Sequence, residues 1–218
     1  MKILLTLLTA AISYLLGCFS TGITLSSAQG VDIRKFGSHN TGASNMLRVM
    51  GTKNGLATFI GDFAKAMLAC LAGSLLLPGA TFGIDRFGTL LAGLCAIIGH
   101  NWPVFYGFKG GKGVACSVAV ILFVDPLLGG ISILLCLAVI AITRYISAGS
   151  MTMLLSFVLL VLIFRWGNWP LCLFAVILLA LCVLRHRANI KRLLNGTENK
   201  IGNKVKAKSA PSWALSAC

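Results

Sequence analysis

Residues 114–142 read VACSVAVILFVDPLLGGISILLCLAVIAI, and the way this stretch divides decides the architecture. A straight helix needs about 20 residues to cross roughly 30 Å of hydrocarbon. The apolar runs 114–124 and 131–142 both fall short of that, and Asp125-Pro126 and Gly129-Gly130 separate them. Three foldings fit: two short spans, a re-entrant hairpin, or one long broken helix. The first two leave every later segment on the same side of a bilayer, and the third inverts them.

Outward from this stretch the chain continues in apolar runs at 3–25, 56–77, 87–106, 151–164 and 171–184, giving seven candidate spans in all. Over 218 residues, 57% are hydrophobic and 11% charged, with a mean hydropathy of +0.91, which excludes an ordinary domain folded in water. The expectation is an all-α integral membrane protein of seven transmembrane helices, some short or broken. Residues 1–200 form a single polytopic domain in this reading, and 201–218 a flexible basic tail.

Lysine and arginine placement chooses among the foldings. With the N-terminus outside, only Lys2, Arg86 and Arg165 fall on the outer face and Lys65 lies within a span; the other lysines and arginines collect inside. Cytoplasmic loops retain Lys and Arg, so the asymmetry supports seven crossings with the C-terminus in the cytoplasm. The single broken helix would scatter these charges over both faces. The net charge of +14 is then largely a topological bias, and anionic headgroups or phosphorylated substrates are expected as partners, not nucleic acid.

Eight cysteines form no C-x-x-C pair, and seven of them lie in apolar runs, where they serve as small hydrophobes; neither disulfides nor a metal site is indicated. Leu15-Leu16-Gly17-Cys18 has some likeness to a lipoprotein cleavage site. The apolar run continues past Cys18 and only Lys2 precedes it, which favours an uncleaved first span.

Three inner segments carry the polar chemistry. In GSHNTGASNMLR (37–48), Gly37 and Gly42 free the backbone, Ser38, Asn40, Ser44 and Asn45 offer neutral hydrogen-bonding groups, and Arg48 a planar cation. Such a set suits a phosphate ester; a polar inter-helix turn capped by Ser and Asn fits it equally. In GHNWPVFYGFKGGKGVA (99–115), Lys112 is followed by glycine, not Ser or Thr, and an apolar helix precedes the loop, so a nucleotide P-loop is rejected. A flexible backbone, an ammonium and a helix N-terminus can still hold phosphate, although lysine anchors and helix-breaking glycines would look the same. In RHRANIKRLLNGTENK (185–200), His186, Asn189 and Arg192 recur every three residues on one helical face, and Glu198, the only glutamate, follows an Asn-Gly turn. A solvated basic helix end needs no His and Asn there. Asp62 and Lys65, one turn apart in the second span, can neutralise each other, and Arg144 ends the fifth span on the same inner face.

These three motifs, in this order and at these separations, resemble the acyl-phosphate:glycerol-3-phosphate acyltransferases, the PlsY family; the likeness runs from the first span to about Lys200. The resemblance implies a bacterial inner-membrane enzyme, with its active site facing the cytoplasm. It would move a fatty acyl group from acyl phosphate to the sn-1 hydroxyl of glycerol 3-phosphate, giving lysophosphatidic acid and inorganic phosphate at the start of phospholipid synthesis. It assigns Ser38, Lys112, His186 and Asn189 to catalysis. Substrate binding falls to these four with Asn40, Gly42, Asn45, Arg48, Lys109, Gly110, Gly111, Gly113, Arg144 and Glu198; it implies neither cofactor nor metal. His39 stands where the family commonly has glycine, Ser44 where threonine is common, and Ala66 where a glycine often follows the lysine position.

The absences agree with that chemistry. No G-x-S-x-G elbow is present, and no histidine is followed five positions later by aspartate. An acyl phosphate already carries a good leaving group, so positioning and charge stabilisation suffice. A transporter of phosphorylated metabolites is the competing class, but no duplicated half with matching breaks is visible. A lipid-alcohol phosphotransferase would want more inner aspartates for Mg²⁺ than Asp32 and Asp62.

Overall fold

The chain is described here from a computed structural model covering residues 1–202; the basic tail expected at 201–218 lies outside the described residues beyond Gly202. Asp125 resolves the decisive stretch. Its side chain accepts the Leu128 N–H at 3.1 Å and Pro126 follows at the first helical position, so a new helix starts where the old one ends. Helix α5 (Val114–Val124) and helix α6 (Pro126–Thr143) are therefore separate. Arg165 Nε donates to Asp125 Oδ2 at 2.8 Å and Arg86 Nη1 to the Val124 carbonyl at 2.7 Å. These two arginines fix the corner at one end of the bundle. Arg144, at the far end of α6, lies at the other end beside Ile201. The single long helix does not form.

The remaining helices are α1 (Lys2–Cys18), α2 (Thr21–Ala28), α3 (Ala43–Leu76), α4 (Phe87–Asn101), α7 (Ile146–Phe164) and α8 (Trp169–Leu194). Among the described residues there are no strands, only one isolated bridge between Thr81 and Ile84. Six helical stretches are long and apolar enough to cross a membrane, while α5, with 11 residues, reaches only about 16 Å. The first expected span breaks at Phe19, where Ser20 caps α2.

The second span differs more. Its helix begins at Ala43, thirteen residues earlier than the apolar run, and bends at Gly51 (φ 81°, ψ 176°), a conformation that a side chain would strain. The bend folds Ala43–Met50 back over the main shaft, so that Leu47 touches Gly55 where a Cβ would collide. Motif residues 43–48 are thus carried back over the mouth of the bundle.

Small residues let the shafts approach: Gly17 meets the Ala96 backbone, Gly73 meets Gly88, and Gly99 meets Tyr14. Phe157, Ile97, Ile121, Leu128 and Leu178 fill the core between α4, α5, α6, α7 and α8. The seven described cysteines are all free, and six are buried.

Candidate active site

A cavity of about 490 Å³ opens where the three polar motifs meet. Its polar end is walled by the loop before α3, the glycine loop before α5 and the last turns of α8. Its other end is apolar, between α3, α5 and α6. Leu56 and Leu137 line that end and are 57% and 55% exposed on the flank of the bundle, so the cavity opens sideways as well as at its polar mouth.

The first motif is organised by Asn45. Its Oδ1 accepts the Ser38 N–H at 2.9 Å, and its Nδ2 donates to the carbonyls of Asn40 at 2.8 Å and Phe36 at 3.1 Å. Asn40 Oδ1 accepts the Gly42 N–H at 2.9 Å and closes the turn into α3. Asn45, buried and hydrogen-bonded to backbone, shapes the loop, and with Ser38, Asn40, Gly42 and Arg48 it lines the cavity. His39 sits at φ 55°, the left-handed region that suits glycine, and its Nδ1 donates to the Arg34 carbonyl at 3.0 Å. Its ring is exposed, away from the cavity.

Lys112 and Gly113 from the second motif face the cavity; Lys109 is exposed and does not. The left-handed turn at Gly107 and Phe108 points Lys109 outward. Gly110 and Gly111 serve through the backbone, packed so closely on His100 and Pro103 that a methyl group at either would collide. Lys112 Nζ donates to Asn189 Oδ1 at 2.5 Å, joining the second motif to the third.

In the third motif His186 and Asn189 are buried and line the cavity, as do Arg192 and Glu198. A carbonyl can only accept, so the 2.9 Å contact between His186 Nδ1 and the Cys182 carbonyl places a proton on Nδ1 and leaves Nε2 as the nitrogen free for a ligand. Glu198 accepts from Asn189 (2.6 Å), Arg192 (2.6 Å) and Ser147 (3.0 Å). Burial opposes its charge, but these donors outweigh it and hold the carboxyl below the usual glutamate range. Arg144 stays outside the cavity, exposed, where it pairs with Ile201 through Nη2–H to carbonyl (2.9 Å) and N–H to carbonyl (2.8 Å) contacts, tethering the segment that carries Glu198. Ser147, which completes the Glu198 site from α7, is missed by the sequence reading; one serine at the start of an apolar helix gives no periodic signal.

Burial pushes the Lys112 ammonium down, Glu198 draws it up, and Arg192, Arg48 and Arg185 push it down again, to about 8. Lysine is charged below its pKa. An enzyme that needs this charge to hold an anion loses kcat/KM as pH rises through about 8, by about tenfold one unit above, while at pH 6–7 Lys112 stays charged and adds no pH dependence of its own. A pH profile of kcat/KM checks this, with Lys112→Arg moving the alkaline limb upward.

Beneath the glycine loop lies a buried ionic cluster. Lys65 Nζ meets Asp62 Oδ1 at 2.9 Å, the Phe19 carbonyl at 2.5 Å and His100 Nδ1 at 3.0 Å, and that ring nitrogen lies 3.6 Å from Asp62 Oδ1. Among the described residues no group of three His, Cys, Asp or Glu side chains is placed to hold a metal ion.

At the polar end, then, Arg48, Lys112 and Arg192 face Glu198, which Arg192 engages, while the other carboxylate lining the cavity, Asp62, is paired with Lys65. Arg48 has no carboxylate partner among the described residues. Two positive charges remain for a ligand, flanked by the neutral groups of Ser38, His186 and Asn189.

Comparison with known proteins points the same way. The profile of the family described as glycerol-3-phosphate acyltransferase matches residues 7–196. The glycerol-3-phosphate acyltransferase of Thermoanaerobacter pseudethanolicus is 44% identical over 202 residues, covering 92% of this chain and 98% of the relative. That of Clostridioides difficile is 41% identical over 210 residues, with 94% and 99% covered. A crystal structure of PlsY (YgiH), an integral membrane glycerol 3-phosphate acyltransferase, in its glycerol 3-phosphate form superposes with a TM-score of 0.83 at 36% identity, over 90% of this chain and 96% of that one.

Proposed function

The chain belongs to the glycerol-3-phosphate acyltransferase family, and from that premise we propose that it moves a fatty acyl group from an acyl phosphate to the sn-1 hydroxyl of glycerol 3-phosphate, releasing lysophosphatidic acid and inorganic phosphate. The protein is an integral membrane acyltransferase of phospholipid biosynthesis. In the proposed topology it crosses the bacterial inner membrane seven times with its N-terminus outside, α5 and α6 making a short hairpin and the cavity mouth facing the cytoplasm. Both corner arginines, Arg86 and Arg165, then lie at the outer face.

The observation that carries the reading is the charge balance of the cavity. Two uncompensated cations suit a phosphate monoester, which bears a charge of about −1.5 to −2 at pH 7, and the apolar sideways opening suits an acyl chain arriving from lipid. In this account Arg48, His186 and Asn189 hold glycerol phosphate, with Ser38 closing over it. Lys112 and the amides at the start of α5 stabilise the acyl phosphate. The hydroxyl oxygen attacks the acyl carbonyl, the bond from carbonyl carbon to phosphate oxygen breaks, and phosphate leaves with the pair. The phosphate of glycerol 3-phosphate takes the hydroxyl proton.

The test is purified protein with acyl phosphate and glycerol 3-phosphate, without divalent metal, following phosphate and lysophosphatidate together. Equimolar products are expected; none, with both substrates present, contradicts the reading. His186→Gln keeps a hydrogen-bonding side chain without a base. KM for glycerol 3-phosphate rises about tenfold at nearly constant kcat if His186 binds, whereas a base role lowers kcat by about 10²–10⁴.

A further inference from the structure

Arg185 belongs to the third motif by sequence, yet it does not line the cavity. Its guanidinium reaches the outer side of the glycine loop: Nη2 donates to the carbonyls of Gly110 at 3.1 Å and Gly111 at 2.7 Å, and Nε donates to Gly111 at 3.0 Å. Its Cζ lies over the Trp102 ring, 5.2 Å from the centroid. From the opposite side, the His100 carbonyl accepts the Gly111 N–H at 3.0 Å.

Peptide planarity turns these contacts into an orientation. In a trans peptide the C=O and N–H point in opposite directions. With the Gly110 carbonyl on Arg185, the Gly111 N–H must face His100, as it does. With the Gly111 carbonyl on Arg185, the Lys112 N–H must face away from Arg185; it meets no acceptor among the described residues. The residue bearing that amide lines the cavity.

We infer that Arg185, stacked on Trp102 and opposed by His100, is a positioning residue whose grip on the Gly110 and Gly111 carbonyls aims the Lys112 amide at the reacting oxygen. Arg185 touches no substrate in this account. Lysine cannot replace it, because an ammonium lacks the planar fork that spans two carbonyls and lies flat on an indole. The inference rests on the acyl-transfer reading for its kinetic consequence, but the clamp can be read without catalysis.

The experiment compares full-length wild type and Arg185→Lys in lipid nanodiscs by steady-state kinetics, Tm and hydrogen exchange over 110–112. The expected result is a kcat lower by about 10- to 100-fold, KM for glycerol 3-phosphate within about twofold, Tm nearly constant, and faster exchange of the Gly111 amide. Unchanged kcat or exchange overturns the proposal, as does a kcat loss matched by a KM rise and a fall in Tm, which marks general loosening. Wild-type protein without acyltransferase activity defeats the functional reading alone, since exchange still reports the clamp. If Arg185→Lys does not fold, Trp102→Leu, which keeps the guanidinium but removes its stacking face, takes its place. Faster exchange with lowered kcat at constant KM is then expected, and wild-type values overturn the proposal.

Discussion

Lys112→Ala is expected to lower kcat about a thousandfold while Tm holds or rises. The side chain is the cation that joins two motifs through Asn189 Oδ1, half-buried in the cavity wall. Losing one preorganised donor to developing charge in such a site costs about 10²–10³ in rate, and losing its full charge as well takes the effect to the upper end. Stability moves the other way. Folding pushes the ammonium down to about 8, so the charged form is held at a cost to the folded protein below that pH. Alanine removes the cost. Rate and Tm on the same preparation check both signs, and a variant that loses both together would assign Lys112 to the framework.

Asp62→Ala is expected to be the most destabilising single change, by about 3–5 kcal/mol, because it leaves the Lys65 ammonium buried without its counterion. Asp62 and Lys65 are 1% and 5% exposed, and their 2.9 Å pair spans one turn of α3. The double variant Asp62→Ala, Lys65→Met removes both charges and recovers most of the loss. Thermal unfolding in detergent should show a fall on the order of 10 °C for the single change and less for the double. A single variant as stable as wild type contradicts this account of the cluster.

Much of this was legible in the chain. Apolar runs and the lysine and arginine asymmetry are one-dimensional signals, and the three motifs do converge on one cavity at one end of the bundle. The break near Asp125 was legible, but not that its carboxylate caps a helix running on through Gly129 and Gly130, five residues ahead of the apolar run read from 131. Side-chain direction in the irregular loops was not. Lys109 and Lys112 look alike in a glycine loop, and only the backbone turn at Gly107 and Phe108 points one outward and leaves the other in the cavity. Asn45 reads as a ligand-binding amide, yet its polar atoms are committed to the loop itself. Arg185 reads only as the first residue of the basic third motif, and its contacts are with carbonyls 74 and 75 residues away. The bend at Gly51 left no mark because a lone glycine in a helical pattern is ordinary.

Accessibility labelling tests the convergence of the motifs beneath one face of the membrane most directly. Single cysteines replace exposed Lys53, Lys109 and Thr197 near the three motifs and exposed Phe82 at the opposite end, in a background without native cysteines. With an impermeant maleimide applied to intact cells, the account predicts labelling at 82 and protection at 53, 109 and 197 until the membrane is opened. Labelling of 53 and 197 from opposite sides would contradict it.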